Sequence, residues 1–152
     1  MLAVAKKMTV EDMVKATAEL FDEVWYQSSY PDVATAGIPG LLHYVNHGWS
    51  EGRNPHPLFS TKWFRSTWKD RPDNRNDLIQ YLQFDSPSEI SPHPAINESW
   101  YRNRYLAEIE KPMASAEHYV RTGHLEGNST SPNCDRLLLQ KIEAELRQGL
   151  CA

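Results

Sequence analysis

Apolar positions in this chain recur at long range. Between residues 21 and 58 the order is Phe21-Asp22, Trp25-Tyr26, Tyr30-Pro31-Asp32-Val33, Leu41-Leu42, Tyr44-Val45 and Gly48, closed by Glu51-Gly52-Arg53-Asn54 and Pro55-His56-Pro57. Trp25-Tyr26 returns as Trp63-Phe64 and as Trp100-Tyr101, at spacings of 38 and 37 residues. Tyr30 returns as Trp68 and Tyr105, and Tyr44 as Tyr81 and Tyr119. A fixed period of this length is the mark of a repeat protein, in which each unit covers the apolar face of the next. The spacing places repeat 1 over 21–58, a degenerate repeat 2 over 59–95 and repeat 3 over 96–132.

Each unit reads as two helical stretches and a turn. Asp22 is placed to cap a short helix on which Tyr26 and Tyr30, four apart, share a face while Trp25 lies about 100° round the axis. Pro31 suits the first turn of a following segment, and Gly37 with Pro39-Gly40 ends it. Leu41, Leu42, Tyr44 and Val45 form the apolar side of the next helix, and Gly48 is expected to stop it in the left-handed region. Asp85 replaces Gly48 in repeat 2 and is expected to take the same turn. In repeat 2, Gln80 stands for His43 and Ser88-Glu89-Ile90 for Glu51-Gly52-Arg53, although the proline–histidine turn returns as Pro92-His93-Pro94. Repeat 3 restores His118-Tyr119, Gly123 and Glu126-Gly127, with Asn128 for Arg53.

The flanks are helical too. Thr9 and Asp12 form a capping-box pattern before Met13, Ala16 and Leu20, so 1–20 is expected to be an N-terminal helix covering the open end of repeat 1. In 133–152, Leu137, Leu138, Ile142 and Leu146 fall along one side of a C-terminal helix, a second cap or a surface for self-association. The fold expected is all-α: three stacked helix-turn-helix repeats with a capping helix at each end, forming one compact domain.

Composition narrows the function. With 152 residues, 40% hydrophobic and 24% charged, the chain suits a globular domain large enough for its own core. A net charge of −4 and a pI near 5.8 argue against nucleic-acid binding, which needs a clustered basic face. No apolar run has the length of a membrane span, and the first residues lack a signal-peptide pattern, so the expected location is cytoplasmic, with surface or particle association only through a partner. Cys134 and Cys151 have no metal-ligand spacing and fit a reduced, intracellular setting.

Most aromatics sit at recurring positions and are expected to form the core between units. Trp49 does not recur; Ser86 and His124 stand in its place. An indole just past a helix end is a candidate contact for a ligand or partner, with His47 beside it and Arg53 and His56 on the connector. His43 and His47, four apart, resemble half of a metal site, but no glutamate accompanies them and neither histidine is present in both other units, so no metal is expected. His43 and His118 are expected to hydrogen-bond a neighbouring turn, a role Gln80 can fill through its amide. Glu51 and Glu126 are copies of one turn residue, expected to bond local amides or, for Glu51, Arg53. Phosphate loops, serine elbows and dinucleotide fingerprints are missing, so neither an enzyme nor a cofactor is expected.

The motif Phe21-Asp22, Trp25-Tyr26, Tyr30-Pro31-Asp32-Val33-Ala34, Ala36-Gly37, His43-Tyr44, Gly48, Glu51-Gly52-Arg53 and Pro55 resembles a family of bacterial repeats. Such repeats are found in non-catalytic segments of bacterial glycosyltransferases, in rhamnan-type polysaccharide-synthesis proteins and in some secreted calcium-binding repeat proteins. The resemblance covers roughly 21–132 and implies an accessory binding module, without activity of its own, that recognises a bacterial cell-surface glycan or the proteins handling one. The alternative is an assembly protein that docks to itself or to a larger particle through its C-terminal helix.

Overall fold

The computed structural model describes residues 7–132, 140–142 and 144. Among them the regular secondary structure is all-helical apart from an isolated antiparallel bridge between His56 and Phe59. Helix α1 (Val10–Thr17) runs on into a 3-10 turn, Ala18–Leu20. The expected capping box begins it. The Thr9 hydroxyl accepts from the Asp12 amide and the Asp12 carboxylate from the Thr9 amide, both at 3.1 Å, which satisfies two donors that a helix start leaves without partners.

The segment 21–58 holds α2 (Glu23–Ser29), α3 (Pro31–Thr35) and α4 (Gly40–His43), the last continuing as a π-helical turn, Tyr44–Gly48. Next come α5 (Thr61–Thr67) and α6 (Asp77–Leu82). Then α7 (Glu98–Tyr101) and α8 (Ser115–His118) each run into a π-helical turn, Arg102–Leu106 and Tyr119–Gly123.

Helices this short do not hold in isolation, so their end contacts and packing must stabilise them. The end contacts recur. Asp22, Ser60 and Asn97 each accept, through the side chain, from the amide of Trp25, Trp63 and Trp100 at 2.9, 3.2 and 3.0 Å. The amides of the same three residues donate to the carbonyls of Pro55, Pro92 and Thr130 at 3.1, 2.8 and 2.9 Å, tying the end of each segment to its start. Glu23, in the first turn of α2, accepts from the amides of Gly40 and Leu41 at 2.6 and 2.9 Å, and Glu98 in α7 accepts from the Ser115 amide at 3.2 Å. Each glutamate therefore caps the second helix of its segment. Thr61 occupies that place in the middle segment, and there Asn76 caps α6 itself, accepting from Leu78 and Ile79 at 3.0 and 3.3 Å.

The core is aromatic. Tyr26, Tyr44, Phe64, Tyr81, Tyr101 and Tyr119 are buried, together with Leu20, Leu58, Phe59 and Ile96. Tyr81 crosses from the middle segment to the third: its hydroxyl donates to Glu98 at 2.7 Å and accepts from the Ala116 amide at 3.0 Å. The tryptophans after the caps behave differently from expectation. Trp25 and Trp100 are half-buried and Trp63 is 38% exposed, because on so short a helix only one narrow face reaches the core.

Three expectations are corrected. Gly48 is not a left-handed stop; among the described residues the glycines at positive φ are Gly37, Gly52 and Gly127. Gly48 sits inside the π-helical turn, where a Cβ would collide with the Tyr26 hydroxyl, and Gly123 stands in the same relation to Tyr101. In the middle segment the left-handed residue is Phe84, φ 62°, rather than Asp85. Finally, α1 does not cover the end of the first segment alone. It packs on α6 and on the turn Tyr44–Gly48, while its 3-10 extension meets α8. The buried Thr17 and Leu20, with Met13 and Val14 packed beside the core, make that face.

Cys134, Cys151 and most of the expected C-terminal helix lie outside the described residues. Within 133–152, positions 140–142 and 144 are helical, and Ile142, 3% exposed, joins the core. Among the described residues no helix is long and apolar enough to cross a membrane.

Candidate functional site

His47 and Trp49 lie at the end of the first segment's second helix, and Arg53 follows on the connector. His47 is exposed on the π-helical turn, and Trp49 follows it half-buried against the core. The Trp49 carbonyl accepts from the Arg65 guanidinium at 2.8 Å, so this corner lies at the junction with the middle segment. The Trp49 indole is thus partly covered by the core and partly open to water.

Arg53 is occupied inside the chain. Its two terminal nitrogens donate to the Asp32 carboxylate at 2.8 and 2.7 Å, its Nε donates to Glu51 at 2.7 Å, and the guanidinium lies 4.8 Å from the centre of the Tyr30 ring. These hydrogen bonds hold the Asp32 carboxyl down at about 2. Glu51 thus pairs with Arg53, one of the two roles its turn position implied. The Tyr30 hydroxyl completes the clamp by accepting from the Asn54 amide at 2.8 Å. The partners Tyr30 and Asp32 were not anticipated, although a signal existed: where Ala107 replaces Asp32 in the third segment, Asn128 replaces Arg53.

His56 is corrected more sharply. The sequence offers it as a binding residue on the connector, yet it is 3% exposed and its Nδ1 accepts from the Leu58 amide at 2.9 Å. The cause is the turn Pro55-His56-Pro57, which folds the ring under the chain; His93 makes the same bond to the Ala95 amide at 3.0 Å. Burial lowers the His56 pKa from 6.5 to about 3. Between those values the unfolded chain binds a proton that the folded chain refuses, so stability is complete above pH 6.5 and falls as pH falls, by about 1.4 kcal/mol per pH unit from this group. Urea melts at pH 7.5, 6.5 and 5.5 should show that loss, and His56→Asn, which keeps an acceptor without the titrating ring, should reduce it, leaving the share from His93, whose pKa burial lowers to about 4.

The remaining histidines serve hydrogen bonds. His43 Nδ1 lies 2.8 Å from the Tyr26 hydroxyl, and His118 Nδ1 lies 2.8 Å from that of Tyr101. Burial lowers the pKa of His43 and raises that of Tyr26, so the phenol donates and the neutral imidazole accepts. The partner is therefore a tyrosine, not a turn as expected for these histidines. Gln80, by contrast, does reach a turn, donating to the Arg75 carbonyl at 3.2 Å. The rings of His43 and His47 are 5.8 Å apart, but Nδ1 of the first faces Tyr26. Among the described residues no group of three or more His, Cys, Asp and Glu side chains is placed to hold a metal ion.

What the arrangement offers chemically is two partly open indoles, the half-buried Trp49 and the 38% exposed Trp63, while Arg53, His43 and His56 are engaged within the protein. No family model matches the chain, and no curated protein or solved structure matches it.

Proposed function

We propose that this chain is a non-catalytic recognition module built of three stacked helix-turn-helix repeats, and that it binds a bacterial cell-surface glycan or proteins handling one. The repeat reading is supported by the capping contacts that recur at Asp22, Ser60 and Asn97. The resemblance of 21–132 to bacterial polysaccharide-associated repeats supports the glycan class. The observation that carries binding is the exposed indole of Trp63, 38% open at a position where the other segments hold half-buried tryptophans. Indole faces on rigid, capped helices offer flat apolar surface to sugar rings at little conformational cost. Trp49 with His47 supplies a second such surface.

Calorimetric titration with oligosaccharides from a bacterial cell-surface polysaccharide tests the reading. Trp49→Ala and Trp63→Ala should each weaken binding roughly fivefold to tenfold, the equivalent of about 1–1.5 kcal/mol, with melting temperatures little changed. Absence of binding by the unmodified protein, or equal binding by the double variant, refutes the glycan reading.

A further inference from the structure

Arg53, Arg65, Arg71, Arg102 and Arg121 each meet a carboxylate within the chain. Arg104 does not. Its guanidinium pairs with no described carboxylate and donates no hydrogen bond to a described residue, yet it is held in place, 5.8 Å from the centre of the Trp100 ring and 5.7 Å from that of Tyr105. Arg104 is exposed, and both rings are half-buried. The rings stand at 85° to one another with centres 6.0 Å apart. Tyr105 is fixed in turn by its hydroxyl, which accepts from the Ser129 amide at 3.1 Å, and by the Tyr101 ring at 4.8 Å. An arginine resting on aromatic rings keeps the edge of its planar fork available for a second partner.

The first segment shows what partner such a fork takes. There the Arg53 guanidinium lies 4.8 Å from the centre of the Tyr30 ring, and the Asp32 carboxylate accepts from both its terminal nitrogens at 2.8 and 2.7 Å. Tyr105 is the counterpart of Tyr30. Around it Ala107 replaces Asp32, and Asn128 replaces Arg53 and turns its amide to the Tyr101 hydroxyl at 3.2 Å, while Arg104, in the place of Ser29, brings a guanidinium from the helix side. The third segment therefore keeps the tyrosine and an arginine but has no carboxylate to join them. Glu108 and Glu110 follow closely in the chain, and neither pairs with Arg104.

We propose that Arg104, with Trp100 and Tyr105 beneath it, binds the carboxylate of an acidic sugar unit, a uronic acid, in the place that Asp32 fills for Arg53. The inference rests on the glycan reading and adds to it the charge of the ligand. Arginine takes a carboxylate through two parallel hydrogen bonds, a geometry that a hydroxyl cannot match. In a uronic acid the carboxylate is bonded to the sugar ring itself, so the anion and an apolar C–H face reach the arginine and the open parts of the rings as one rigid unit. An aspartate or glutamate side chain brings its carboxylate on a flexible stem without such a face, which favours the sugar over an acidic peptide.

Calorimetric titration with an oligomer of galacturonic acid tests the site, beside the same oligomer with its carboxylates reduced to alcohols and a hexaglutamate peptide. The acidic oligomer should bind roughly fivefold more tightly than the reduced one at low salt, the scale of one exposed bidentate pair, and salt should narrow the difference. Hexaglutamate should bind at least roughly fivefold more weakly than the acidic oligomer. Arg104→Gln should abolish the preference for the acidic oligomer with the melting temperature little changed, since the side chain makes no hydrogen bond within the protein. Arg104→Lys, which keeps the charge but loses the planar fork, should retain only part of it. Equal affinity for the two oligomers overturns the carboxylate site and leaves the glycan reading standing. Binding of neither oligomer overturns it too, and the glycan reading is then decided by the cell-surface oligosaccharides titrated above. A preference that survives Arg104→Gln, or a hexaglutamate affinity equal to that of the acidic oligomer, also overturns the proposal, because the anion would then be held elsewhere or without the sugar.

Discussion

Glu98→Ala is expected to lower stability by about 3–5 kcal/mol, the largest loss from any single side chain discussed here. Glu98 is 1% exposed, and its carboxylate accepts from the Tyr81 hydroxyl at 2.7 Å, from Arg102 Nε at 2.9 Å and from the Ser115 amide at 3.2 Å. Those donors come from the middle segment, from its own helix and from the start of α8. One carboxylate therefore joins two segments and caps a helix. Removing it leaves a hydroxyl, an amide and a guanidinium facing a void, and a buried donor without an acceptor costs its full desolvation. Burial pushes the Glu98 carboxyl up, while the Tyr81 hydrogen bond and the Arg102 charge pull it down. Glu98→Gln, which keeps the shape but not the charge, should cost roughly half as much. Glu23→Ala is the internal control. Glu23 makes the equivalent cap to Gly40 and Leu41 but is exposed, so its loss should cost about 1 kcal/mol. Urea denaturation of the three variants measures the contrast, and equal losses for Glu98→Ala and Glu23→Ala would show that the Glu98 cluster contributes nothing beyond the cap.

Gly48→Ala is expected to cost about 2–3 kcal/mol through overpacking, a fall in melting temperature of roughly 4–10 °C for a chain of this size. The added methyl would overlap the Tyr26 hydroxyl, which is buried and held by His43. A tyrosine ring cannot swing aside without losing that bond and its neighbours, Phe21 at 5.0 Å and Tyr30 at 4.8 Å between ring centres. Tyr26→Phe alone should cost about 1 kcal/mol, since the His43 nitrogen loses its donor. The double variant should be more stable than the sum of the two by about 1–2 kcal/mol, because the clash disappears with the hydroxyl. The middle segment already carries this combination: Phe64 without a hydroxyl, Gln80 in place of the histidine, and Asp85 where a glycine would otherwise be required. Strict additivity in the double-mutant cycle would refute the account.

These two clusters show how far the sequence could be read. The capping residues Thr9 and Asp22 and the all-helical class are legible because they depend on local rules: which residues accept from a helix start, and how often an apolar side chain must recur to keep one face covered. The recurrence of glycine at 48 and 123 is visible too, but its reason is not local. A local rule assigns such a glycine to a left-handed stop, whereas the requirement comes from a tyrosine hydroxyl more than twenty residues earlier in the chain. His56 is a case of the same kind: a polar residue between two prolines reads as exposed, yet the turn folds its ring inward.

By itself, then, the sequence determined that this protein is helical, that three stretches of it share one pattern, and that Trp49 breaks that pattern. Only the tertiary structure decided which polar groups remain available. It closed Arg53 on Asp32 and Glu51, buried His56, laid α1 with its 3-10 extension across all three segments, and left Trp63, Phe84 and Ile109 facing water. The division has a physical cause. Caps and periodicity are satisfied within a few residues, whereas exposure and ion pairing depend on groups brought together from distant parts of the chain, and their free energies are fixed only when water has been removed from between them.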